Sequence, residues 1–97
     1  MKAIGLLETK GLACLVYGVD AMVKSANVDI EGPIKNVGSG LNSAVVSGAV
    51  AAVKAAIDAG AAAAGEIGTV VSAHVIARPD AGTAGVLPKA ASPRTRK

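Results

Sequence analysis

Ninety-seven residues suffice for one small domain, and 52% of them are apolar, with one tyrosine and neither Phe nor Trp. The longest apolar run, Ala49 to Ala64, is broken by Lys54 and Asp58 and falls short of the roughly 20 residues a membrane helix needs, which excludes a spanning helix. The net charge of +3 rests on Lys89, Arg94, Arg96 and Lys97; without these four, six basic residues face seven acidic ones, so the body carries −1. A nucleic-acid partner would want a basic face and stacking rings, and neither is present. A single cysteine, Cys14, has no partner for an internal disulfide, so a reducing cytosol is expected. Met1-Lys2-Ala3-Ile4 leads into Glu8 with no cleavage pattern of a signal peptide.

Residues 3–9 predict a strand with apolar residues on both faces, one inside a sheet. Thr9 is placed to cap a following helix. That helix is predicted over 12–26, its core stripe being Leu12, Leu15, Val16, Val19, Met22, Val23 and Ala26. Asp20 and Lys24, acid first and four apart, are expected to pair on the solvent side. A second strand is predicted over 28–34, interrupted by Gly32-Pro33, because proline cannot donate to a ladder.

Lys35-Asn36-Val37-Gly38-Ser39-Gly40 then reads as a loop joining it to a third strand, 41–46. Gly38 and Gly40 reach backbone angles that other residues avoid, and they leave N–H groups uncovered. An ordinary hairpin turn and a turn that presents donors to a passing solute both fit.

Ser47 is expected to cap a second helix with core residues Val50, Val53, Ile57, Ala61 and Ala64, closed by a left-handed Gly65. Its alanine run makes it slim enough to lie close on a sheet. The fourth strand is predicted over 69–78, with Val71, Ala73 and Val75 on one face. A short C-terminal helical turn is expected before Leu87, and a disordered basic tail over 89–97 after a domain of 1–88. The order β-α-β-β-α-β, two helices on one face of a mostly antiparallel four-stranded sheet, is an α+β, ferredoxin-like sandwich.

No catalytic set emerges. His74 sits mid-strand with no carboxylate nearby in sequence, and a structural role suits it better than that of a general base. One His and one Cys so far apart do not suggest a metal site. The carboxylates are scattered, and phosphate-binding glycine patterns are missing. The expectation is no enzyme, no cofactor and no metal. The slim helices and apolar-rich sheet suggest one part of an assembly.

Several segments together resemble a known family: 4–11 (Ile-Gly-Leu-Leu-Glu-Thr-Lys-Gly), 20–28 (Asp-Ala-Met-Val-Lys-Ser-Ala-Asn-Val), Gly38-Ser39-Gly40, 52–60, and 74–79 ending in Arg78-Pro79. In that order the chain is similar to the single-domain hexameric shell proteins of bacterial microcompartments, over roughly residues 3–80. The resemblance implies cyclic hexamers that tile into a facet around enzymes in the cytoplasm. It implies a central pore for small polar metabolites, lined by Gly38, Ser39 and Gly40, with Lys35 near it. It implies a tile-edge contact through Lys24, Asn27 and Arg78. Implied partners are like or paralogous hexamers, pentameric vertex and trimeric shell proteins, and encapsulated enzymes, with no nucleic acid and no membrane. The approach to the pore loop departs from the family pattern by a small extension containing Pro33. Ser47-Gly48-Ala49 stands where many relatives start the second helix with an Arg-Gly-Asp-like sequence. The alternative is a ferredoxin-like oligomeric small-molecule sensor, which would usually carry a long loop or a charged cleft.

Overall fold

The computed structural model describes residues 2–77. Its elements are β1 (Ala3–Lys10), α1 (Leu12–Ser25), β2 (Asp29–Ile30), β3 (Lys35–Gly38), β4 (Leu41–Gly48), α2 (Val50–Ile67) and β5 (Thr69–Ile76). The strands run in the order β2-β4-β1-β5, β3 pairs with the other end of β4, and every pairing is antiparallel. This is the ferredoxin-like α+β sandwich, with the expected second strand shortened to residues 29–30 and a separate short strand following it. Ladder bonding continues as far as the Glu31 N–H, 2.8 Å from the Val45 carbonyl oxygen. Gly32 then turns to a φ of 76°, and Pro33 has no N–H to give. Pairing resumes at Lys35, so residues 35–38 form a strand where a loop was expected.

β1 lies between β4 and β5, as its two apolar faces require. Ala3, Gly5, Leu7 and Thr9 point toward the helices, and Ile4, Leu6 and Glu8 to the opposite face. The helices come very close. A Cβ on Gly5 would stand 2.6 Å from Ile57 Cγ1, and one on Gly60 would stand 2.5 Å from Met22 Cγ and 3.1 Å from the Gly18 carbonyl oxygen. At both positions a side chain would force its neighbours to shift, and the helices cross where glycine faces glycine. The core is Leu7, Leu15, Met22, Val28, Ala44, Val46, Val53, Ala56 and Ile57, with Ala3 beside them.

The glycine crossing moves the α1 stripe. Cys14, Leu15, Gly18 and Met22 are buried, while Leu12, Val16 and Val23 are exposed despite the sequence reading. The Cys14 thiol donates to the Ala64 carbonyl oxygen at 3.1 Å, which secures α1 to α2. On α2, Val53, Ala56, Ile57, Gly60 and Ala64 are buried, and Val50 is not. The centre of contact follows closest backbone approach, and counting large apolar residues does not reveal that.

All three expected caps are corrected. Thr9 stays in β1, fully buried, and donates its hydroxyl to the Gly11 carbonyl oxygen at 3.1 Å; Gly11, with φ 92°, caps α1. Ser47 ends up inside β4, where its hydroxyl meets Glu31 Oε2 at 2.5 Å, and Ala49 caps α2. Gly65 is an exposed residue within α2, which runs on to Ile67 and stops at an extended Gly68. In β5 a register shift opposite Glu8 and Thr9 puts Val70, Ala73 and Val75 against the core and leaves Val71 exposed. The expected C-terminal helical turn, the basic tail and Arg78 lie outside the described residues.

Candidate functional site

Gly38, Ser39, Gly40 and Leu41 form the tip of the β3–β4 hairpin. Gly38 pairs with Leu41, so Ser39 and Gly40 are the two turn residues. Their φ values are 54° and 76°, both positive as a type I′ turn requires, and Gly38 before them stands at 88°. Ser39 is the one non-glycine residue with positive φ among the described residues. All three are exposed, and a Cβ added to either glycine would meet nothing within 4 Å. The glycines are therefore required by backbone conformation and not by crowding.

The tip is fastened from behind. The Gly40 carbonyl oxygen accepts the Gly11 N–H at 2.7 Å and the Asn42 side-chain Nδ2 at 3.2 Å. The Gly38 N–H donates to Asn36 Oδ1 at 2.9 Å, so this glycine amide is not uncovered as the sequence suggested. The loop also lies against the start of α1 through Gly11, a neighbour that is remote in sequence. Sequence reasoning passed over Asn36 and Asn42. Their signal was asparagine two residues before one turn glycine and two after the other, the spacing of local side-chain to backbone bonds. Lys35 is exposed and opposite Ser43 in β4, four residues before Ser39, so the hairpin tip is reached through its strand and not by Lys35 itself.

Lys24 lies at the other end of the domain. It occupies the last turn of α1, its ammonium 2.8 Å from Asp20 Oδ2, with most of its surface exposed. The hydrogen bond and charge of Asp20 raise the Lys24 pKa above its ordinary 10.5. Asn27, also exposed, follows two residues after α1 ends, so the structure brings Lys24 and Asn27 to one corner. β5 reaches Ile76 at that same end, since Ile76 pairs with Ile4, Ile4 with Ser47, and Ser47 with Asp29. The hairpin tip lies at the opposite end, because Lys10 pairs with both Leu41 and Thr69. The eight residues of β4 separate the two ends by about 23 Å at 3.3 Å per residue.

Elsewhere, a shallow apolar groove of about 610 Å³ runs between Leu12, Ala13, Val16, Tyr17, Asp20 and Ile67. His74 is exposed opposite Leu6 on the helix-free face, and Glu8 on that face accepts the Ser72 hydroxyl at 3.2 Å. No group of His, Cys, Asp and Glu among the described residues could hold a metal ion, and no described helix is long and apolar enough to cross a membrane.

Comparison with known proteins fits this arrangement to a family. The sequence profile of the BMC domain matches residues 3–79. The bacterial microcompartment shell protein EutM of Salmonella typhimurium is 57% identical over 79 residues, 81% of each chain. The bacterial microcompartment shell protein PduA of Citrobacter freundii is 52% identical over 91 residues, 94% of this chain and 97% of that one. The carboxysome shell protein CcmK2 of Synechocystis is 41% identical over 89% of this chain and 84% of its own. A crystal structure of a microcompartment protein from Desulfitobacterium hafniense superposes with a TM-score of 0.74 at 31% identity, over 84% of this chain and 43% of that one; this chain thus spans under half of that longer one. The chain belongs to the BMC domain family, the family of bacterial microcompartment shell proteins.

Proposed function

We infer that this chain is a wall-building unit of a bacterial microcompartment shell in the cytoplasm, and that it works by assembly and not by catalysis. The unit is a cyclic hexamer. The Gly38-Ser39-Gly40 tip of each subunit lines a pore on the six-fold axis, with Lys35 further back. Lys24, Asn27 and Arg78 meet the neighbouring hexamer at the perimeter. Further contacts join it to paralogous hexamers, trimeric and pentameric shell proteins, and the enclosed enzymes.

The observation that carries this reading is the separation of the two sets of residues. An exposed, tightly held polar turn occupies one end of the subunit, and an exposed lysine and asparagine occupy the other, about 23 Å away along β4. Cyclic symmetry needs one end of every subunit near the axis and the other at the rim, joined by a heterologous interface. A ring of such turns offers hydroxyl and amide donors to polar or anionic solutes and little to apolar gases. Relatedness to EutM and PduA supports the shell role itself.

Electron microscopy of concentrated protein at low salt tests the reading. Hexagonal arrays or tubes built from six-fold rings are expected. Isolated small oligomers whose melting responds to a small ligand would instead favour a sensor.

A further inference from the structure

The hairpin tip carries two side-chain bonds that its turn type does not require. β3 and β4 place Asn36 directly opposite Asn42, next to the bulge that precedes Gly38. From this cross-strand pair, Asn36 Oδ1 accepts a hydrogen bond from the Gly38 N–H at 2.9 Å, and Asn42 Nδ2 donates one to the Gly40 carbonyl oxygen at 3.2 Å. The Gly11 N–H reaches that same oxygen at 2.7 Å. One loop donor and both acceptor positions of one loop carbonyl are thereby engaged by the subunit itself. Among the described residues, neither the Ser39 hydroxyl nor the Gly40 N–H has a partner.

We propose that Asn36 and Asn42 are positioning residues of the pore, which withdraw the Gly38 N–H and the Gly40 carbonyl from the opening and leave the Ser39 hydroxyl and Gly40 N–H as its solute-facing groups. The proposal rests on the pore reading above and specifies its chemistry. A carbonyl turned to the axis would repel a carboxylate or phosphate oxygen; this one has no lone pair to spare. The ring then presents donors with few competing acceptors, which suits oxyanions and polar carbonyl compounds. Asn36 is exposed, so its role is not to fill the core. Asn42 is buried beside Thr9, and its amide has its backbone bond on the loop side.

Asn36→Ala and Asn36→Asp separate this role from a structural one. Aspartate keeps an acceptor two residues before Gly38, and alanine removes it. Backbone hydrogen exchange over residues 35–41 is measured in assembled hexamers, with circular dichroism to establish folding. Asn36→Ala should speed exchange of the Gly38 amide by about five- to tenfold, the loss expected for one neutral hydrogen bond, and Asn36→Asp should restore protection. Unchanged Gly38 exchange in Asn36→Ala overturns the proposal. The second readout is uptake into closed shells of a small carboxylate relative to a neutral amide of the same size. Asn36→Ala, which adds a free donor at every subunit, should raise that ratio. Ser39→Asp, which adds a carboxylate at a position that tolerates positive φ, should lower it. If Ser39→Asp lowers the ratio and Asn36→Ala leaves it unchanged, the pore reading stands and the asparagine role is wrong. If Ser39→Asp also has no effect, the loop does not line the path and both fall.

Discussion

Two alanine substitutions on one helix should differ in stability by the cost of packing one methyl group between the helices. Gly60 and Gly65 both lie within α2, so replacing either by alanine gains the same helix propensity, about 1 kcal/mol. Their surroundings differ completely. A Cβ at Gly65 meets nothing within 4 Å. A Cβ at Gly60 would stand 2.5 Å from Met22 Cγ, 3.0 Å from Met22 Sδ and 3.1 Å from the Gly18 carbonyl oxygen. Met22 can swing aside, although it is itself fully buried. The Gly18 carbonyl belongs to the backbone of α1 and moves only if the helices separate. Overpacking of this kind costs about 1–3 kcal/mol. Gly65→Ala should therefore stabilise by close to 1 kcal/mol, and Gly60→Ala should range from neutral to about 2 kcal/mol destabilising. The gap between the variants isolates the packing cost, because the propensity gain cancels. Urea unfolding at one fixed protomer concentration measures it, since assembly shifts apparent stability by mass action. In a thermal scan each kcal/mol corresponds to roughly 4–8 °C for a domain of this size. Equal stabilisation by both substitutions would refute the claim that glycine at 60 is kept for helix approach.

Three further predictions concern the turn and the rim. Ser39→Val should destabilise by about 1–2 kcal/mol per subunit because a β-branched residue resists positive φ, while Ser39→Asn stays near neutral; chemical denaturation of both variants distinguishes them. Lys24→Ala and Lys24→Asp should leave hexamers intact in solution yet abolish extended arrays in the microscope, and loss of the hexamer itself would show that Lys24 serves the inner interface. Asp20→Asn should lower the Lys24 pKa toward 10.5, read by NMR titration of the side chain. The sign follows from linkage: with the folded pKa raised, the pair's contribution is fully present below 10.5 and is lost as pH rises through the raised value. A Lys24 titration unaffected by Asp20→Asn would mean that the pair does not hold in solution.

The fold was legible where periodicity and backbone chemistry agree. β1 read as an internal strand because both its faces are apolar, and Asp20–Lys24 read as a pair from spacing alone. Gly32-Pro33 also announced a break, though not that pairing would resume at Lys35. Contacts set by partners remote in sequence were hidden. The closest approach of α1 and α2 is dictated by Gly18 and Gly60, which carry no hydrophobic signal, so the buried stripe was drawn through Val16 and Val23 instead. Thr9 and Ser47 look like caps locally, but strand pairing claims both residues first. Val71 looked buried by strict alternation, and one bulge moved Val70 into its place. At the candidate site, the glycines signalled a turn, but the tie from Gly11 to Gly40 depends on tertiary folding. The asparagines were visible in the sequence, and only the register of β3 against β4 makes them opposite partners.

The distance between the hairpin tip and the α1 corner has an evolutionary consequence. About 23 Å of β4 lies between the two regions, and substitutions this far apart are energetically independent to within a few tenths of a kcal/mol. If the hairpin lines a pore and the α1 corner meets a neighbour, as proposed, a lineage could retune what passes through a wall without redesigning how the wall is laid. It could equally change curvature or neighbours at the rim while its permeability stays fixed. Engineers would inherit the same freedom, with a library at residues 36–42 screened on a lattice whose geometry is left untouched.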